Sequence, residues 1–184
     1  ARFSADGRRI VTGSADGGAR RWLLGDDPGL LRGHAAALEH ASFAPDNNTI
    51  ATASMDGTTR LWPRDGLPAV VLRGHREGSS IAAAFSPDGQ YLATAGADGL
   101  ARLWSIAQRP PVLLTTLPAE AERGPPLLDV QWGPHSDRLA LAGDDGRIHL
   151  VRLAADGTPT ATDMLVGHTG PVRALAFAPD GAHL

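Results

Sequence analysis

Several residue types are missing or scarce in this 184-residue chain, and each absence excludes a class of protein. There is no cysteine, so disulfide bonds, thiolate metal sites and cysteine nucleophiles are excluded. No apolar run approaches the roughly 20 residues that a membrane-spanning helix needs. All 17 basic residues are arginine, and the 20 acidic residues bring the net charge to −3. A weakly acidic chain lacks the basic surface expected of a protein that binds nucleic acid or an anionic membrane.

What the chain does contain is a short pattern that recurs at nearly constant intervals. The turn at residues 43–46, Phe-Ala-Pro-Asp, returns at 85–88 and 177–180 and, in weaker form, at 3–6. The aromatic residues that mark each unit are Phe3, Phe43, Phe85, Trp132 and Phe177. Their spacings of 40, 42, 47 and 45 residues match the ~40–45-residue period of a four-stranded propeller blade.

Within one unit the local signals are those of short strands joined by tight turns. Residues 81–85 are a small apolar run, and a second run follows at 91–96. Asp98-Gly99 is a two-residue hairpin signal that requires positive φ, and it leads into a third strand at 101–104. No stretch shows sustained helical periodicity. The sequence therefore predicts an all-β fold of about four four-stranded antiparallel blades that covers residues 1–184. The predicted units are about 1–32, 33–73, 74–116, 117–166 and a truncated 167–184.

These residues and their fixed order resemble the WD-repeat β-propeller family. A Gly-His, an FSPDG-type turn, an Asp-Gly and a Leu-Trp follow one another in two strong units, 33–62 and 74–104, and more weakly near 123–151. The resemblance covers essentially the whole chain. It implies a bacterial-type propeller, here four repeats of a longer one, cut through a blade at both ends. Because residues 175–184 repeat the register of 1–10, we expect either further blades in a parent chain or a homodimer that closes an eight-bladed ring.

The resemblance also implies a hydrogen-bonded chain of His, Thr, Asp and Trp inside each blade. The second unit would use His34, Thr52, Asp56 and Trp62, and the third His75, Thr94, Asp98 and Trp104. The first unit retains Thr12, Asp16 and Trp22, the fourth retains Asp145, and the last retains His168. A Thr, His and Asp set also suggests a catalytic triad, but this set repeats in every good blade whereas an active site occurs once. We therefore expect these residues to be structural and none to be catalytic.

The unit near 123–151 departs from the pattern. Arg123, Leu141 and Val151 stand near the His, Thr and Trp positions, and the preceding connection, about 105–126, is the longest in the chain. Two interpretations stay open. Such a loop can carry specific contacts because function concentrates on loops held by a rigid scaffold. The alternative is drift in a repeat that its neighbours hold in place.

Other kinds of site have little support. Asp26-Asp27 and Asp144-Asp145-Gly146 lack the interleaved oxygen ligands of a calcium loop. The histidines of the Gly-His pairs lie in separate blades and would not converge on one metal ion. Arginines recur two residues before the tryptophan, and repetition at one position indicates a structural role. No aromatic residues alternate with them to stack on nucleic-acid bases. We expect no cofactor, no metal, no nucleic acid and no membrane partner.

By resemblance, partners of WD-repeat proteins contact the residue before the turn aspartate and the start of the innermost strand. The corresponding positions are Ala15, Met55, Ala97, Asp144, Glu39, Arg76, Glu77, Asp129 and Arg173. Met55 is the most suggestive, because methionine is an adaptable apolar contact and the other units carry Ala or Asp there. The alternative for Met55 is a singly exposed apolar residue, which is common on protein surfaces.

These observations favour a non-catalytic protein–protein interaction scaffold in the cytoplasm. A narrower version is the sensor or regulatory region of a larger bacterial signalling protein that carries an NTPase or kinase domain. The alternative is a propeller enzyme, such as a lactonase, lyase or hydrolase, with its active site on the central face. Such enzymes need carboxylates, histidines or a metal at the inner-strand starts, and here those starts are mostly Ala, Leu, Ser and Val.

Overall fold

The computed structural model describes residues 1–23, 29–76, 80–117 and 124–184, and in these ranges the chain forms four sheets without a helix. Each sheet contains four consecutive antiparallel strands, which is the order of a propeller blade. The predicted all-β class with four-stranded antiparallel blades is therefore confirmed. No helix in the described ranges could cross a membrane.

The sheets are named blades 1 to 4 in chain order. Blade 1 contains β1 (Arg2–Phe3), β2 (Arg9–Gly13), β3 (Ala19–Leu23) and β4 (Gly29–Leu31). Blade 2 contains β5 (Leu38–Phe43), β6 (Thr49–Ser54), β7 (Thr58–Pro63) and β8 (Val70–Arg73). Blade 3 contains β9 (Ser80–Phe85), β10 (Tyr91–Gly96), β11 (Ala101–Ser105) and β12 (Val112–Leu117). Blade 4 contains β13 (Leu127–Trp132), β14 (Arg138–Gly143), β15 (Ile148–Leu153) and β16 (Pro159–Leu165). The first strands of successive blades contact one another, so they form the inner side of the molecule.

The loop between the second and third strands has the same construction in every blade. An aspartate side chain accepts a hydrogen bond from the backbone N–H two residues later, and the glycine between them has positive φ. The aspartates are Asp16, Asp56, Asp98 and Asp145, and the glycines that follow them have φ of 76°, 79°, 75° and 82°. The Asp-Gly pairs therefore build these turns, because glycine adopts positive φ without strain and aspartate caps the backbone.

The hydrophobic core lies between neighbouring blades. The largest cluster joins blades 3 and 4 around the fully buried Leu103 and Leu139, and there the ring of Tyr91 stacks on that of Trp132 at 6.1 Å. Two further clusters join blade 2 to blade 3 and blade 1 to blade 2. Each blade is therefore stabilised by burying its sheet faces against its neighbours, as in other repeat architectures.

Residues 166–184 continue this arrangement beyond the last strand. The N–H of Val172 donates to the carbonyl of Gly143 at 3.1 Å, as the N–H of Leu38 donates to that of Ser14 at 3.1 Å between blades 1 and 2. Val172 is buried. The segment therefore takes the same position beside blade 4 that the inner strand β5 of blade 2 takes beside blade 1.

Gly99→Ala should destabilise the protein more than Gly89→Ala. Both glycines have positive φ, 75° and 71°, so both substitutions strain the backbone. A Cβ at position 99 would also collide with the carbonyl of Gly124, whereas one at position 89 would meet open space. We expect a difference of about 1–3 kcal/mol in the free energy of unfolding, measured by urea denaturation. Equal losses would show that the approach of Gly99 to Gly124 has no energetic weight.

Candidate interaction face and the networks behind it

Blade 2 contains a continuous hydrogen-bonded chain of four side chains. Trp62 Nε1 donates to Thr52 Oγ1 at 2.8 Å, and Thr52 Oγ1 lies 2.8 Å from His34 Nε2. His34 Nδ1 lies 2.8 Å from Asp56 Oδ2. The His34 side chain is 1% exposed and Thr52 is fully buried, so the chain lies inside the blade.

The donors and acceptors in this chain fix the direction of its protons. An indole N–H only donates, so the Thr52 hydroxyl accepts it and directs its own proton to His34 Nε2. Nδ1 then carries the ring proton and donates to Asp56. Burial lowers the pKa of His34, which favours the neutral ring that this order requires. Burial alone would raise the pKa of Asp56, but hydrogen bonds from Thr58, the Ala35 N–H and His34 hold it well below its usual range.

Blade 3 forms the same chain with one additional member. His75 lies 2.9 Å from Thr94 Oγ1 and 3.1 Å from Asp98 Oδ1, and Trp104 Nε1 donates to Thr94 at 3.2 Å. Arg102 Nη1 inserts between them, 2.7 Å from His75 Nδ1 and 3.2 Å from Asp98 Oδ2. A guanidinium only donates, so Arg102 adds a second donor to the carboxylate of Asp98 beside His75. Burial opposes ionisation of Asp98, but its bonds to His75 and Arg102 lower the pKa to about 2.

The arginine at this position plays a different part in blade 2. There Thr58 Oγ1 donates to Asp56 at 2.6 Å, and Arg60 instead lies over the Trp62 ring at 5.8 Å. In blade 3 the position of Thr58 is Leu100, which cannot donate through its side chain. Arg102 therefore supplies the bond that the threonine supplies in blade 2.

The remaining predicted network residues do not form complete chains. In blade 1, Trp22 Nε1 donates to Thr12 Oγ1 at 2.9 Å, but Asp16 is exposed and pairs with Arg20 at 3.2 Å. In blade 4, Asp145 is exposed, and among the described residues it accepts from the backbone N–H of Arg147 and pairs with the Arg147 guanidinium. His168 is exposed.

The predicted partner residues lie at one end of the blades, where each inner strand starts and each Asp-Gly hairpin turns. Met55 is 43% exposed, and its N–H donates to the Ala37 carbonyl at 3.0 Å. The structure also places the exposed Ala15, Asp144, Glu39, Arg76 and Arg173 at this end, together with the half-buried Ala97. Glu77, like Asp26, Asp27 and Arg123, lies outside the described residues. We call this surface the hairpin face.

Asp129 differs from the expectation of a partner contact. Its Oδ1 accepts from the N–H of Val130 at 2.8 Å, and its Oδ2 accepts from the N–H of Leu175 at 2.8 Å. The carboxylate therefore holds residues 166–184 against blade 4. The spacing of the repeat could not show this, because the bond joins two neighbouring repeats.

His40 is a residue whose setting the sequence did not reveal. It lies on β5, and its buried Nδ1 has no hydrogen-bond partner among the described residues. Burial lowers the pKa of His40 to about 4, and the positive charge of Arg2 adds to the effect. The ring is therefore neutral near pH 7. Within the described ranges, no three His, Asp or Glu side chains come close enough together to hold a metal ion.

Comparison with known families agrees with this geometry. A family model described as WD domain, G-beta repeat matches residues 1–22, 26–63, 66–105 and 157–184, which together exceed half of the chain. The matched ranges leave out 106–156, which contains β13, β14 and β15 of blade 4. The departure of that blade from the pattern is thus visible in the comparison as well.

A curated relative covers a smaller part of the chain. Coronin-7 of Homo sapiens is 37% identical over 75 residues, which is 38% of this chain and 8% of that protein. The similarity therefore concerns a small portion of a much longer protein.

Asp56→Ala and Asp98→Ala should each lower the free energy of unfolding by about 1–3 kcal/mol, because each leaves a buried imidazole without its acceptor. Asp16→Ala is the matched control, since it removes the same turn aspartate from a blade without a histidine, and a smaller loss is expected. Thermal and urea denaturation measure the three variants. If Asp16→Ala costs as much as the other two, hairpin capping alone would account for the stabilisation.

Stability should fall as the pH drops from about 6.5 to about 4, in part because of His40. The unfolded chain binds a proton at the ordinary pKa of 6.5, whereas the folded chain does so only near 4. The stability contribution is thus complete above pH 6.5 and lost across this window. His40→Leu should reduce the loss by about 1–3 kcal/mol in urea titrations at pH 7 and pH 4. An unchanged pH dependence in this variant would contradict the assignment.

Proposed function

The chain belongs to the WD-repeat family of β-propellers, and on this basis we propose that it is a non-catalytic scaffold that binds a protein partner on the hairpin face. WD repeats generally serve protein–protein interaction. In this chain, the hairpin face around Met55 would be the binding surface, and no residue would be catalytic.

The observation that carries the proposal is an exposed methionine on a rigid support. The backbone of Met55 is bonded to Ala37, and Ser54 Oγ next to it donates to the Ala36 carbonyl at 3.1 Å. Behind the loop, Asp56 is held by the buried network. An adaptable apolar side chain on a loop that loses little entropy on binding is suited to the centre of an interface.

The surroundings of Met55 have the polar character of an interface rim. Glu39 and Arg76 are exposed on the same face, on the inner strand of blade 2 and in the loop that follows β8. Interfaces combine an apolar centre with a polar margin that tunes association rate and specificity. The hairpin face offers this arrangement around blade 2.

The Thr–His–Asp sets of blades 2 and 3 support the hypothesis that the protein is not a catalyst. Thr52 is 0% exposed and Thr94 is 1% exposed, and each hydroxyl is bonded to an indole on one side and an imidazole on the other. A nucleophile must reach its substrate within about 3 Å, and these hydroxyls are closed off from any substrate. They serve the interior of the blade.

The proposal extends to the context in which the scaffold works. A module without chemistry of its own acts through the proteins that it assembles, so we place it as the regulatory region of a larger cytoplasmic bacterial signalling protein. A kinase or NTPase domain encoded upstream in the same gene would support this extension. A gene that encodes only further blades would contradict it.

Met55→Asp should abolish partner binding while the protein stays folded. A charge at the centre of an apolar contact costs several kcal/mol of binding, which corresponds to a loss of at least about a hundredfold in affinity. Partners captured by the tagged chain and identified by mass spectrometry would then be titrated against purified wild type and variants.

The matched control is Leu67→Asp. Leu67 is 52% exposed and lies in the β7–β8 loop of the same blade, at the opposite end from Met55. This variant should bind the partner with wild-type affinity. Equal binding by Met55→Asp, or equal loss by Leu67→Asp, would place the contact elsewhere.

A further inference from the structure

A cavity of about 450 Å³ lies between blades 3 and 4, where blade 4 has lost the residues of the network. Its apolar walls include Leu117, Pro125, Leu127, Leu141, Val151 and Pro159. Asp145, Arg147 and His149 are the ionisable side chains of its lining. Among the described residues the cavity is partly open, which makes it accessible to a ligand.

The register of the strands shows which side chains the cavity replaces. In blade 2 the β6–β7 pairs are Thr52 with Arg60 and Ile50 with Trp62. In blade 4 the β14–β15 pairs at the same positions are Leu141 with His149 and Leu139 with Val151. Leu141 thus stands for the network threonine, and Val151 stands for the network tryptophan.

These replacements remove an aromatic ring from the part of blade 4 that lines the cavity. The indoles of Trp62 and Trp104 pack inside blades 2 and 3 and reach their threonines at 2.8 and 3.2 Å. Valine lacks the ring, and Val151, which is 1% exposed, forms part of the buried wall of the cavity. The apolar part of this lining can pack against the face of an aromatic ring.

The carboxylate of Asp145 at the cavity favours a ligand that donates a hydrogen bond. In blades 2 and 3 the turn aspartate receives an imidazole N–H, at 2.8 Å in blade 2. In blade 4 Asp145 accepts only from Arg147 among the described residues, at 3.1 Å from its backbone and 3.5 Å from Nε. Leu141 offers no acceptor to a ring, so the carboxylate of Asp145 is the anionic acceptor of the lining.

We propose that this cavity binds an indole, supplied by a tryptophan side chain of a protein partner, with the indole N–H directed to Asp145. The apolar walls match the ring, and the carboxylate matches its donor. The site would give the scaffold a second, side-chain-specific contact beside the hairpin face. The identity of the occupant as a protein side chain rests on the proposed scaffold function, whereas the indole site itself does not.

Free indole is the first probe, titrated into the purified chain by calorimetry and by NMR. We expect saturable binding at one site in the wild type and at least about tenfold weaker binding in Val151→Trp, which returns the missing ring. Arg152→Trp is the matched control, because it puts the same ring on the adjacent, solvent-facing position of β15. Arg152 is 57% exposed and pairs with Asp163 at 2.8 Å on the surface, so its loss should be well tolerated. Absence of binding to wild type, or equal binding to Val151→Trp, would overturn the proposal.

Folding of the variant is measured separately. Val151→Trp should raise the unfolding temperature, because it fills a cavity. If that variant does not fold, Val151→Phe replaces it, with the same expected loss of indole binding. A folded Val151→Phe that binds indole as wild type does would overturn the proposal.

The role of Asp145 and the source of the indole are tested on the ligand side. 1-Methylindole has no N–H and should bind at least about fivefold more weakly than indole, and equal affinity would overturn the role of Asp145. N-acetyltryptophanamide should bind with at least the affinity of indole if the occupant is a protein side chain. Its exclusion would overturn the protein source and assign the site to a free indole.

The two proposals fail independently. Met55→Asp should leave indole affinity unchanged, because Met55 lies in blade 2. Loss of partner binding in Met55→Asp with no indole binding would retain the hairpin face and overturn only the cavity. If indole binds but Met55→Asp does not change the affinity for the partner, the cavity would be retained and the hairpin face overturned.

Discussion

The need to satisfy one buried carboxylate organises each well-formed blade. In blade 2 Asp56 accepts hydrogen bonds from the N–H of Thr58 in its own hairpin, from the N–H of Ala35 and from the ring of His34. Removing a carboxylate from water without such partners would cost several kcal/mol. Since Ala35 and His34 belong to the loop that arrives from blade 1, satisfying the charge also aligns successive blades. The same loop supports Met55, so the stability of the interior and the shape of the hairpin face have one origin.

Blade 3 meets the same need with a different side chain. Where Thr58 donates to Asp56, blade 3 has Leu100, and the guanidinium of Arg102 reaches Asp98 instead. The corresponding Arg60 is left to pack on an indole. Two arginines at one repeat position thus have different roles, and a neighbour two residues away decides between them. The position of a residue within the repeat therefore predicts where its side chain lies in the blade better than it predicts which bond the side chain makes.

Blade 4 shows what remains when the network is lost. Asp145 still caps its hairpin, and the N–H of Asp144 donates to the Pro126 carbonyl at 2.8 Å, so the loop keeps its place on the face. Leu141 and Val151 are buried in the cluster between blades 3 and 4 and supply apolar packing instead of hydrogen bonds. The face is preserved because backbone bonds hold it, while the interior loses a ring and opens a cavity. A blade can therefore keep its loop on the hairpin face even when the hydrogen-bonded network in its interior is lost.

The sequence by itself determined the all-β class, the blade period and the Asp-Gly turns, because these depend on contacts between residues close together in the chain and repeated along it. The resemblance to WD repeats also implied which histidine, threonine and aspartate share a blade. Only the tertiary structure decided that Asp129 binds the backbone of Leu175, that His40 Nδ1 is buried with no partner among the described residues, and that a cavity lies between blades 3 and 4. Each of these depends on what a neighbouring strand or blade brings to the residue. No local pattern contains that information, because burial and pairing across blades are set by residues far away in the chain.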